Sequence, residues 1–89
     1  MDLDALLHHY FGSDDLDTID AATLDHGKHR LTIDFGTERD GGRKFALWTL
    51  MDGLGIAPLP AEAFEKHPEL RRAAEDYLSA AWKLEREPD

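Results

Sequence analysis

An apolar stretch near the middle of the chain reads RKFALWTLMDGL, residues 43–54. If these residues form a helix, apolar side chains point in nearly every direction around its axis. Such a helix is typical of the centre of a fold, because it has to be covered on several sides. The stretch therefore predicts a central and most buried helix over 43–54 with Trp48 in the core, ended by Gly53 and Gly55.

Amphipathic helices are predicted on both sides of this central element. Residues 2–11 place Leu3, Leu6, Leu7, Tyr10 and Phe11 on one face, and Gly12 suits a left-handed helix end. Towards the C-terminus, Pro60 favours a short helical turn over 61–66, and Pro68 favours the start of a last helix over 68–86. That last helix carries one continuous apolar face: Leu70, Ala73, Ala74, Tyr77, Leu78, Ala81 and Leu84.

The segment between the first and the central helix has two interpretations. Residues 13–26 favour a short helix that ends at Gly27, and 37–42 read as a loop. Residues 28–36 alternate between apolar and polar, which is typical of a strand. One interpretation is therefore all-helical, with 29–36 extended or briefly helical. The other is a short β-hairpin around 19–35 that turns at 26–28.

Composition favours helices for the chain as a whole. Its 89 residues include 13 Leu and 11 Ala but no Val, and Leu and Ala are better helix formers than strand formers. We therefore predict a mainly α fold. It is a small single domain over 1–89 with four to five helices, either purely helical or with the hairpin at 19–35.

The net charge of −9 is unevenly distributed. Residues 1–25 contain seven Asp and no Lys or Arg, residues 26–50 carry a net +2, and residues 51–89 a net −4. An acidic surface repels nucleic-acid phosphates and anionic membranes, and it attracts basic proteins. The candidate partner-binding residues are Asp14, Asp15 and Asp17, with Trp82 as an anchor at the rim of the last helix.

Two weaker constellations could hold small ions. His26 and His29 are three residues apart, a spacing that shares a metal if the backbone is helical, although Gly27 favours a turn there. A surface turn without metal is the favoured interpretation. Arg39, Arg43 and Lys44 surround the predicted start of the central helix, where free N–H groups attract anions. An ordinary flexible loop is the favoured interpretation of that segment.

The leading functional hypothesis is a small protein-interaction module without catalysis or cofactor, which binds a protein with a basic surface. The chain has no cysteine and only two serines, neither in a nucleophile-elbow sequence. One alternative is a nucleic-acid mimic that inhibits a DNA- or RNA-binding protein, and another is a small metal- or anion-binding sensor or enzyme. The acidic start lacks signal-peptide features, so we expect a cytoplasmic protein. Small residues on the last helix, such as Ala73 and Ala80, permit a homodimer.

Overall fold

Helices account for every regular element in the computed structural model, which describes the backbone of residues 3–13 and 15–86 and the side chains of 3–13 and 15–80. Within these residues there is no strand, and a 3₁₀ turn, Leu16–Thr18, accompanies five helices. The helices are α1 Leu3–Phe11, α2 Ala21–Thr37, α3 Gly41–Gly53, α4 Pro60–Ala63 and α5 Pro68–Arg86. The prediction of a mainly α fold with four to five helices is confirmed.

The chain divides into two compact units, residues 1–57 and 58–89, and each has its own helix packing. In the first unit, α1 packs against α2 and α3, and these two helices also pack against each other. In the second unit, α4 packs against α5. The single domain over 1–89 stays a prediction.

The predicted central helix is present and buried. Leu47, Trp48, Leu50 and Met51 of α3 are all buried, and Trp48 is only 1% exposed. The helix begins at Gly41, two residues earlier than predicted. This happens because the Asp40 side chain caps it, accepting a 2.8 Å hydrogen bond from the Arg43 backbone N–H. The predicted loop at 37–42 is correspondingly shorter.

The alternative of a β-hairpin around 19–35 is wrong, and so is a short helix ending at Gly27. Residues 21–37 form one continuous helix, α2. The Asp20 carboxylate caps its start by accepting a 2.7 Å hydrogen bond from the Thr23 N–H, which lowers the pKa of Asp20. Leu31 and Phe35 are buried at helical spacing, so the alternation that suggested a strand is incidental to a helical apolar stripe.

Gly27 lies inside α2 rather than at its end. The absence of a side chain at this position lets α1 pack closely against α2. A Cβ atom at this position would overlap the Phe11 ring at Cδ1 and Cε1 and would lie 2.8 Å from the Tyr10 carbonyl oxygen. Both Phe11 and Tyr10 are buried. The glycine therefore permits close helix packing, although its intrinsic helix propensity is low.

Two glycines do end helices in the left-handed conformation, and one of them positions a residue of the candidate site. Gly12 has φ +73° and donates to the His8 carbonyl at the end of α1, as predicted. After α3, Gly55 has φ +76°, and the Ile56 N–H donates to the Met51 carbonyl at 2.9 Å. This Schellman motif turns the chain sharply, and Ile56 lines a groove together with residues of α2.

The second unit follows the predicted proline positions. Helix α4 starts at Pro60 and α5 at Pro68, and both prolines occupy the first helical position. Phe64 and Ala74 are buried, whereas Tyr77 on the same apolar face as Ala74 is 38% exposed.

We expect Gly27→Ala to lower the free energy of unfolding by about 1–3 kcal/mol, because its methyl group would have to displace Phe11 and the Tyr10 backbone. Gly36→Ala is the matched control on the same helix, since a Cβ there meets nothing within 4 Å. That substitution should raise stability by about 0.5–1 kcal/mol. Urea unfolding monitored by circular dichroism measures both values, and equal effects of the two substitutions would contradict the proposed role of Gly27.

Candidate functional site

Helix α2 has one buried side and one exposed side. Gly27, Leu31 and Phe35 lie one turn apart along the buried side. The opposite side carries Ala22, His26, His29 and Ile33, all exposed, and Ile33 retains 52% of its surface. We call these four residues the histidine face. An exposed Ile between polar neighbours is common on protein surfaces, but here it continues a stripe that includes two imidazoles.

An open groove runs beside the histidine face. The groove has a volume of about 550 Å³ and lies between α2 and the turn that follows α3. Ile56, half-buried at the end of the Schellman motif, forms the apolar wall. The other residues that line the groove all belong to α2: Ala22, Asp25, His26, Lys28, His29 and Thr32. The groove therefore combines apolar surface with imidazole, carboxylate and ammonium groups.

The two histidines predicted as weak metal ligands lie on a regular helix rather than in a turn. Their spacing places both imidazoles on the same exposed face, one helical turn apart. Among the residues that the structure describes, no group of three or more His, Cys, Asp or Glu side chains is arranged to hold a metal ion. One copy of the chain thus offers two imidazoles, which is half of a tetrahedral site.

The predicted acidic surface lies at the turn before α2. Asp15, Asp17 and Asp20 are exposed, and we call these three residues the acidic segment. Asp15 accepts a 3.0 Å hydrogen bond from the Asp17 N–H, and Asp20 caps α2. Between residues 15 and 80, where side chains are described, none of the three carboxylates forms an ion pair. Two of them therefore order the backbone while keeping their negative charge at the surface.

Two predicted partner-binding residues have no described position. Asp14 lies outside the described residues, and so does the side chain of Trp82, whose backbone belongs to α5. Their participation in binding stays a prediction.

The predicted anion site is already supplied with carboxylates from the chain itself. Glu38 forms an ion pair with Arg43 and accepts hydrogen bonds from the Arg39 and Asp40 N–H groups. The Asp40 carboxylate accepts a hydrogen bond from the Arg43 N–H at the start of α3. These contacts neutralise the helix N-terminus from within the chain, in the place where an external anion would bind.

Lys44 has a structural contact that the sequence did not indicate. Its ammonium group donates a 2.7 Å hydrogen bond to the Phe35 carbonyl in the last turn of α2 and lies 4.0 Å from the centroid of the Phe35 ring. A cation at this position lies beside a carbonyl of the last helical turn, where it interacts favourably with the helix dipole. Of the three bases predicted to bind an anion, Arg39 is exposed, whereas Arg43 and Lys44 are half-buried.

A partly buried hydrogen bond joins α1 to α2. The Tyr10 hydroxyl donates to Asp34 Oδ2 at 2.6 Å, and Arg30 lies 5.9 Å from the centroid of the Tyr10 ring. Burial and the Asp34 carboxylate raise the pKa of Tyr10 to about 12, while the charges of Arg43 and Arg30 oppose the shift. This pair stabilises the packing that exposes the histidine face.

Comparison with known protein families, characterised proteins and solved structures finds no match to the chain in any of the three. Among the described residues, no helix combines the length and apolar character needed to cross a membrane.

The Tyr10 pKa predicts how stability changes in alkaline solution. The value is about 10 in the unfolded chain and about 12 in the folded protein, so folding retains the phenol proton. The resulting stabilisation is complete below pH 10 and is lost as the pH rises to about 12. Urea unfolding across this pH range should show a fall in free energy that Tyr10→Phe reduces. Identical pH dependence in the two proteins would contradict the assignment.

Proposed function

We propose that this protein is a small cytoplasmic interaction module, without catalysis, whose acidic segment binds a basic surface on another protein. The observation that supports this proposal most directly is that Asp15, Asp17 and Asp20 are all exposed and have no ion pair within the described residues. Their charge is therefore available to an external partner.

Two cations of the first unit form contacts within the chain. Arg43 pairs with Glu38, and Lys44 contacts the Phe35 carbonyl and ring. Because these two cations contact Glu38 and Phe35, neither pairs with a carboxylate of the acidic segment, whose negative potential is not cancelled by such pairing. Such a potential raises the association rate with a basic partner and makes binding sensitive to salt.

A binding role agrees better with the surface than catalysis does. The groove beside α2 is open to solvent, and its histidines are exposed. Acid–base and nucleophilic chemistry usually requires a site that excludes water and perturbs pKa values. The alternative of nucleic-acid mimicry is less well supported, because Lys28 and Arg30 on α2 interrupt the row of negative charge.

The test is a titration of the ¹⁵N-labelled full chain with a decalysine peptide, followed by NMR. Amide shifts should concentrate around the acidic segment and weaken at physiological ionic strength. A triple variant converts Asp15, Asp17 and Asp20 to Asn, which removes charge but keeps the capping oxygen atoms. The triple variant should bind the peptide at least about threefold more weakly than the parent protein.

The matched control removes three exposed acidic charges from the second unit: Glu62→Gln, Glu65→Gln and Asp76→Asn. This variant has the same net charge as the first one, so it isolates the location of the charge. It should retain more of the peptide affinity. Equal losses in the two variants, or shifts centred on the second unit, would overturn the proposal.

A further inference from the structure

The histidine face has a symmetry that a second copy of the chain would match. Ala22 and Ile33 lie at equal distances from the midpoint between residues 27 and 28, and so do His26 and His29. If a second α2 helix runs antiparallel across this face, a twofold axis places each histidine opposite the other histidine of the second copy. The same axis places the small Ala22 opposite the large Ile33. Such self-complementary pairing is what a twofold dimer requires.

The charges beside the histidine face favour the antiparallel direction. Asp25 and Lys28 both line the groove, so they lie on the same side of α2. In the antiparallel pair, Asp25 of each copy comes within one helical turn of Lys28 of the other copy, and opposite charges attract. A parallel pair would place this flank of the two α2 helices on opposite sides of the seam, so the attraction between Asp25 and Lys28 would be lost. Arg30 lies over the Tyr10 ring, which directs its charge towards α1.

The imidazoles supply the chemistry that would join the copies. We propose that Zn²⁺ bridges two copies of this chain through His26 and His29 of each, forming a zinc-dependent antiparallel homodimer. Zinc in structural sites takes four ligands in tetrahedral geometry, and neutral imidazole nitrogens are among its preferred ligands. Each chain provides two, so the site is complete only when the second copy is present.

The metal also reduces the electrostatic cost of pairing. Each chain has a net charge of −9, and two such chains repel one another. A divalent cation at the twofold axis adds positive charge where the two surfaces are closest. Hard cations such as Mg²⁺ and Ca²⁺ prefer oxygen ligands and would not replace zinc at a site of four nitrogens.

The experiment measures the mass of the untagged full chain by light scattering after gel filtration, with ZnCl₂ and then with EDTA. We expect the mass to change from 10.0 kDa to twice that value with zinc and to return with EDTA. Calorimetry should give one zinc ion per two chains, and MgCl₂ should leave the monomer unchanged. One zinc ion per chain, or zinc binding without a change in mass, would overturn the proposal.

The variant His26→Gln/His29→Gln should remain monomeric in zinc. Both side chains are exposed, so the fold should be retained, and circular dichroism checks this. The matched control is His8→Gln/His9→Gln, which removes two exposed histidines from α1 and should dimerise with zinc like the parent. Zinc-induced dimers of the first variant, or their loss in the control, would exclude the proposed ligands.

Charge reversal tests the antiparallel arrangement separately. Asp25→Lys should weaken the zinc-dependent dimer, because it would bring two ammonium groups together, and Lys28→Asp should weaken it for the converse reason. The double variant Asp25→Lys/Lys28→Asp restores opposite charges and should recover the dimer. Failure of the double variant to recover would overturn the antiparallel pairing. None of these substitutions touches the acidic segment, so this proposal and the proposed function fail independently.

Discussion

The close contact between Gly27 and Phe11 is the constraint on which the first unit depends. Only a residue without a Cβ atom allows the Phe11 ring and the Tyr10 backbone to lie directly against α2. Leu31 and Phe35 continue the same helical stripe and are buried as well, and Lys44 of α3 lies over the Phe35 ring. The opposite side of α2 is then left in solvent, and this is the side that carries His26 and His29.

Polar contacts around this packing give charged residues distinct roles. Asp34 and Lys44 act at helix interfaces, where one binds the Tyr10 hydroxyl and the other binds the Phe35 carbonyl. The acidic segment orders the turn before α2 while its charge stays exposed. Charge that stabilises the fold is thus separated from charge that is available for a partner, and the two proposed interactions use different surfaces of the first unit.

Much of the architecture was predictable, because it depends on local signals. Apolar periodicity predicted the first, central and last helices, and glycine and proline predicted several of their ends. The prediction for 13–36 is wrong, because Gly27 favours a helix end and the alternation of 31–35 favours a strand, yet 21–37 is one helix. Both signals are local, whereas the actual helix is stabilised by contact with α1. The helical spacing of Gly27, Leu31 and Phe35 was the pattern that could have revealed it.

The amino-acid sequence alone established the helical class, the concentration of acid in the first 25 residues and the presence of a histidine pair. These properties follow from composition, periodicity and spacing, which need no knowledge of distant contacts. The tertiary structure established that both histidines share one exposed face, that Ile56 lines a groove beside them, and that Lys44 and Arg43 are engaged within the chain. These properties depend on which helices meet, and packing between residues far apart in sequence determines that.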